Sequence, residues 1–222
     1  MSAARVDLTR AGTMTHDGHH DDGHNADRHD DRRVRRTRGR LRGALASLIH
    51  EQPYDGIAVK QILARADVGR SAFYAHFADK DALLVSAIRE LLRASDAAAP
   101  PGPVGRVDRV LRFSLPVFAH VDRHRRTGTV MADPPGRAAV HAHLQQVLVD
   151  RVAADLRRAA AAPRRGEHAA PLVPLDLLAA HVVSAFLLVL DWWVARAEPN
   201  SAEEANARFR ALVLPTLRAA LA

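Results

Sequence analysis

The sequence predicts an all-α protein, and three observations carry that prediction. Apolar residues recur at i, i+3, i+4 and i+7 in one segment after another, no segment reads as a strand, and the breaks between segments are rich in proline and glycine. With 222 residues, 48% of them hydrophobic, the chain is long enough to bury a sizeable core. It contains no cysteine, which excludes a disulfide framework, a thiolate nucleophile and Cys-ligated zinc, so that a metal would need His and carboxylate ligands.

Residues 1–31 hold His16, His19, His20, His24 and His29 and six Asp from Asp17 to Asp31, with almost nothing apolar after Met14. Such a segment gains too little from burial to offset its ordering entropy, and a disordered tail is expected. Met14 offers an alternative start of translation. The net charge of +7 is uneven: the tail has three Arg against seven Asp, and the positive field begins at Arg32. A basic chain attracts polyanions, nucleic acid among them. No secretory signal is recognisable, and the longest apolar run, residues 177–190, is short for a membrane span and suits a buried helix.

From Thr37 the periodicity turns helical, with Leu41, Leu45, Leu48 and Ile49 on one face of a first helix that should stop near Pro53. Val59, Ile62, Leu63 and Ala66 repeat the spacing in a short second helix, after which Gly69 is expected to take left-handed geometry in a tight turn. A very short third helix covers Ser71 to Phe77. A fourth starts at Asp79, a good N-cap, and presents Leu83, Leu84, Ala87, Ile88, Leu91 and Leu92. The AAAPPGPVG stretch of residues 97–105 cannot continue a helix and marks a domain boundary. Beyond it, Val107 to Arg125, Ala138 to Ala162, Leu175 to Arg196 and Ala202 to Leu221 read as helices, the last with Pro215 as a kink. The expected organisation is therefore a tail (1–31), a helix-turn-helix domain (32–95) and a helical bundle (96–222).

Two short helices joined by a tight turn, behind a longer helix and a run of Arg, form the pattern of a helix-turn-helix, whose second element enters the DNA major groove. The residues sharpen it: Thr37-Arg38, then Tyr54-Asp55-Gly56, then Val59 to Gly69, then Arg70-Ser71-Ala72-Phe73-Tyr74-Ala75-His76-Phe77-Ala78-Asp79-Lys80 running on to Leu83-Leu84. Over residues 33–92 this string resembles the N-terminal domain of the TetR family of bacterial transcriptional regulators, and its F-Y-x-H-F-x-x-K-x-x-L signature is highly specific. Phe73 and Phe77, four apart, can anchor the third helix while Tyr74, His76 and Lys80 stay outside, where a phenol and an ammonium suit phosphate oxygens.

The resemblance implies that Tyr74 and Lys80 touch the DNA backbone and that Arg70, Ser71, Ala72 and Ala75 face bases, with Arg70 able to grip a guanine in bidentate fashion. Lys60 and Thr37 are further backbone candidates. His76, Arg36 and Arg38 complete the expected DNA-binding set, and the run Arg32, Arg33, Arg35, Arg36, Arg38, Arg40 and Arg42 reads as an arm that follows phosphates or enters the minor groove. One departure stands out: the family commonly has Thr or Ser just before the second helix, and this chain has Ala58, which removes a cap and a phosphate contact.

For the C-terminal half the resemblance implies a ligand pocket and a dimer interface, with the last two helices forming a four-helix bundle across a two-fold axis and a palindromic operator to match. Phe113, Phe118, Met131, His141, Phe186 and Trp192 are the pocket candidates, with His120, His181 and Trp193 beside them. Trp192 and Trp193 point about 100° apart, so at most one is central to the core. His120 and His124 stand four apart and His141 and His143 two apart, but no carboxylate-plus-His spacing confirms a metal site, so neither a metal nor a cofactor is expected. No Gly-rich phosphate loop, G-x-S-x-G elbow or H-E-x-x-H is present, and an enzyme is not expected. The expected protein is a cytoplasmic, ligand-responsive repressor that binds a double-stranded operator as a homodimer and has no membrane partner. The alternative is a His-rich regulator or storage protein for metal.

Overall fold

A computed structural model describes residues 22–98, 102, 104–125, 134–161, 173–196 and 200–221. Among them the regular structure is helical throughout: α1 (Asp22–Glu51), α2 (Val59–Ala66), α3 (Arg70–Tyr74), α4 (Lys80–Ala97), α5 (Arg106–Val110), α6 (Ser114–Arg125), α7 (Pro134–Ala161), α8 (Leu175–Val194) and α9 (Ala202–Leu221), with a 3₁₀ turn at Tyr54–Gly56. By its contacts the chain divides into two units, residues 1–37 and 38–222. Of the first, the described part is the N-terminal stretch of α1, with Arg32, Arg33, Arg35 and Arg36 exposed and Thr37 half-buried.

That helix starts at Asp22 and not at Thr37, so residues 22–31, expected in the tail, are helical; residues 1–21 lie outside the described residues. Adding a residue to an existing helix needs no new nucleus, and Arg is a good helix former, so α1 extends backward from its packed C-terminal half.

In the second unit α1 buries Leu41, Ala44, Leu45 and Leu48, α2 buries Ile62 and Ala66, and α4 buries Leu83, Leu84, Ile88 and Leu92. Phe73 and Phe77 complete this core, their ring centroids 6.0 Å apart. The turn between α2 and α3 differs from the expected one. Asp67, at φ 49°, takes the left-handed conformation, while Gly69 is extended at φ −71°, ψ 154°. The amide of Val68 donates to the Leu63 carbonyl (3.1 Å) and that of Asp67 to the Ala64 carbonyl (3.3 Å), a Schellman closure that fixes the left-handed residue one position after Ala66. Aspartate tolerates that conformation, and its carboxylate accepts from Arg40 at 2.8 Å. The third helix proper ends at Tyr74, short of Phe77.

The expected helix from Val107 to Arg125 is two helices, α5 and α6, parted by a turn at residues 111–113. Pro116 explains the break, since its ring would collide with the carbonyl of residue 112 in a continuous helix, whereas in the first turn of α6 it is tolerated. α7 begins at Pro134, four residues before the expected Ala138, because proline's fixed φ suits a first helical turn. α8 ends at Val194, two residues early. Pro215 sits inside an unbroken α9.

Phe113, Phe118, Phe186, Phe209 and Trp193 form one fully buried aromatic cluster that joins α6, α8 and α9, with neighbouring centroids 4.9–5.5 Å apart along Phe113–Phe186–Phe118–Trp193 and at Phe186–Phe209. The Trp193 indole donates to the Asn200 carbonyl at 2.9 Å. α4 packs on α6 and α7, so the expected domains meet without a break in packing. Arg151 spans that junction, donating to Asp96 of α4 (2.8 Å) and to the buried Asp155 (3.2 Å). Among the described residues α8 alone is long and apolar enough to cross a membrane, and half of the qualifying stretch is buried inside the protein.

Candidate nucleic-acid interface and interior cavity

The surface of α2 and α3 is set by what lies beneath it. Burial of Phe73 turns Arg70, Ser71, Tyr74 and Ala75 outward; Tyr74 is 50% exposed, its ring meeting Phe73 edge-on at 5.2 Å. Ala72 and His76 are half-buried and Lys60 is exposed. Arg70 and Tyr74 on the outer side of α3 and Lys60 on α2 offer two exposed cations and a phenol, which is chemistry for phosphates and base edges.

Not every basic residue is available to an outside anion. Arg65 makes a two-pronged pair with Glu51 (2.6 and 2.7 Å) and donates to Ser47 (2.7 Å), which clamps α2 to α1. That guanidinium holds the Glu51 carboxyl at about 2, well below the usual carboxylate range. Arg40 is engaged by Asp67, and Arg42 and Arg93 by Glu90. Lys60 and Arg70 have no ion-pair partner among the described residues. Arg38 is exposed, its guanidinium 5.6 Å from the Phe77 ring centroid.

Lys80 departs from the expectation of an outward phosphate contact. Its ammonium donates to the carbonyls of Tyr54 (2.9 Å) and Asp55 (3.4 Å) and lies 4.3 Å from the centre of the Tyr54 ring. The Tyr54 hydroxyl in turn donates to Asp81, and burial together with that neighbouring carboxylate pushes the phenol well above its ordinary range, so it stays a donor. Tyr54, Lys80 and Asp81 thus pin the 3₁₀ turn to the start of α4. Ala58 gives α2 no side-chain cap, but the Gln61 side chain reaches back to accept from the Ala58 amide at 2.7 Å.

Behind this surface lies a cavity of about 310 Å³, walled mostly by apolar side chains of α1 (Leu45, Ile49), α4 (Leu84, Ile88), α6 (Val117), α7 (Leu144) and α8 (Leu190), with His50, His120, His141, Arg42 and Glu90 as its polar groups. Of the residues expected to form a pocket, His141 and His120 line it. Phe113, Phe118 and Phe186 belong instead to the aromatic core, because three large rings bury more apolar surface against one another than along a cavity wall. Trp192 is 38% exposed on the outside of α8, beneath the guanidinium groups of Arg196 (4.6 Å) and Arg208 (5.4 Å). His181 is exposed too, and Met131 lies outside the described residues. His50, which sequence reasoning passed over, sits at the end of α1 with its ring stacked 3.8 Å from that of His124; no local pattern marks it, since its partners are some seventy positions away. Burial foremost, then the neighbouring His124, lowers both His50 and His120 to about 4.

The fold and this surface define a helix-turn-helix protein with a helical second domain. Residues 41–87 match the family described as "Bacterial regulatory proteins, tetR family". Similar solved structures include a TetR transcriptional regulator from Streptococcus agalactiae (21% identity, 83% of this chain and 97% of that one, TM-score 0.48). RolR in complex with resorcinol is also similar (20%, 84% and 89%, 0.46), as is Thermus thermophilus FadR, a TetR-family repressor in complex with lauroyl-CoA (18%, 80% and 93%, 0.44). No curated protein matches the chain.

Proposed function

We propose that the protein is a one-component transcription regulator, a repressor, whose homodimer binds a palindromic operator in the cytoplasm and is released by a small molecule. The observation that carries this reading is the outward face of α3, where burial of Phe73 presents Arg70, Ser71, Tyr74 and Ala75 together. Arg70, Ser71, Ala72, Ala75 and His76 address bases; Tyr74, Lys60 and Thr37 address phosphates, with Arg36 and Arg38 extending that contact as an arm. Lys80 acts by positioning Tyr54 and the head of α4, with one of its three donors left for a phosphate.

The cavity supports ligand response because its wall includes α1 and α4 of the reading domain as well as α6, α7 and α8. Its volume is at the lower end of small-molecule sites, and its lining suits a compact, largely apolar molecule. A ligand that fits only one orientation of α1 and α4 shifts the protein toward that orientation, and reciprocity requires DNA to weaken ligand binding by the same factor.

Selection from a random duplex library at near-physiological salt tests the reading, with an Arg70→Ala, Tyr74→Ala double variant as control. An inverted repeat recovered by the wild type and lost by the double variant is expected. Salt-sensitive binding without a motif, shared by both proteins, would mean that the Arg-rich arm holds polyanions nonspecifically and would sink the assignment.

A further inference from the structure

The cluster of His50, His120 and His124 joins α1 of the reading domain to α6, with one ring nitrogen from each histidine inside a group spanning at most 4.8 Å. Imidazole nitrogens held about 2.05 Å from a tetrahedral ion stand about 3.3 Å apart and ligate in the plane of the ring, so closure onto an ion needs an approach of about 1.5 Å at most and a turn of the His50 ring out of its stack on His124, where the two planes are 14° apart. The chain has no thiolate to compete, and an all-imidazole set suits borderline ions such as Zn²⁺, Ni²⁺, Co²⁺ and Cu²⁺ over Mg²⁺ or Ca²⁺.

We propose that His50, His120 and His124 bind one divalent transition-metal ion, with the remaining coordination position open to the interior cavity. Two further features support the site. His120 and His124 are one turn apart on α6, which places both on the same side of that helix. Nδ1 of His124 lies 2.7 Å from the His120 carbonyl, an outer contact that holds the ring and leaves Nε2 as the ligating nitrogen. Because His50 and His120 also line the cavity, a bound ion would face whatever occupies it, and a fourth ligand can be water or an oxygen or nitrogen donor of a small molecule.

The regulatory consequence rests on the function proposed above: an ion tying the end of α1 to α6 restricts the orientation of the reading domain. Binding of the ion does not rest on it, and the two are tested separately. The five tail histidines would mask the site, so the protein used is the full chain carrying His16→Gln, His19→Gln, His20→Gln, His24→Gln and His29→Gln. Titration with Co²⁺ alone, read by the visible absorption of the bound ion and followed by Zn²⁺ displacement, is expected to give one equivalent. Added His50→Gln, His120→Gln or His124→Gln should each weaken binding by about tenfold or more. Thermal melts in EDTA identify which variants are folded, and Zn²⁺ should raise the melting temperature of the tail-substituted parent only.

Absence of Co²⁺ binding in the tail-substituted parent would overturn the site, as would undiminished binding by any folded variant lacking one of the three histidines. A shift in DNA affinity of the parent between EDTA and Zn²⁺ supports the regulatory arm, and equal affinity in both removes that arm alone. A parent that binds Co²⁺ but selects no DNA motif would refute the function and leave the metal site standing.

Discussion

At position 58 a single side chain decides how α2 begins. Ala58 has the extended backbone of a cap residue (φ −90°, ψ 148°) but no oxygen to offer the first amides of the helix, and Gln61 supplies only the return half of a capping box. Ala58→Thr should therefore stabilise the protein by about 1 kcal/mol, read as a higher urea midpoint at unchanged slope. If the function proposed above holds, the same hydroxyl adds a phosphate contact, and operator affinity should rise with it. A stabilised variant with unchanged DNA affinity would show that the start of α2 does not approach the backbone. The tight turn behaves differently from the sequence expectation at the same scale. Gly69 has an ordinary φ and open space where a Cβ would stand, so Gly69→Ser should be tolerated and add a cap to α3. Asp67→Val should cost about 1–3 kcal/mol, because a β-branched residue is strained in the left-handed region. The opposite order of the two variants in denaturant would contradict the turn as described.

Elements were legible where one face of one helix carried the message. The Leu41, Leu45 and Leu48 stripe, the Val59 to Ala66 spacing and the Phe73/Phe77 pair identify the helix-turn-helix because each is a local pattern whose buried residues lie within a few turns. The split of α5 from α6 was hidden because apolar spacing runs through the break, and only the backbone geometry of Pro116 reveals it. The pocket was least legible, since its wall is contributed by five helices and large aromatic residues serve a core as readily as a cavity. Phe186 shows the ambiguity resolved: its ring touches those of Phe113, Phe118 and Phe209 and is fully buried. Phe186→Ala should cost about 3–5 kcal/mol, against a small change for the half-exposed Trp192→Ala. Similar melting temperatures for the two variants would place Phe186 outside the load of the core.

At the scale of the whole molecule, the outer face of α8 is the feature that a single chain does not explain. Leu177, His181, Ser184 and Leu188 recur at steps of four, three and four, all exposed, with Leu177 at 60% and Leu188 at 66%, while the opposite face is sealed into the core. α9 packs beside α8 and exposes Leu212 at 57%. Single exposed leucines are unremarkable, but under the function proposed above Leu177 and Leu188 of α8 and Leu212 of α9 are the exposed apolar residues that a two-fold copy would cover. Leu188→Glu places a charge at the C-terminal end of that stripe without touching the core, so the folded monomer should keep its helicity and its urea slope. Light scattering should then report a dimer for the wild type and a monomer for the variant at the same concentration. If the function proposed above holds, affinity for an inverted repeat should fall steeply, because a lone reading domain would grip one half-site and lose the linked second contact, while affinity for an isolated half-site stays nearly unchanged. A variant that remains dimeric would move the interface away from α8. A monomeric variant that still binds the full repeat as tightly as the wild type would separate dimerisation from operator recognition.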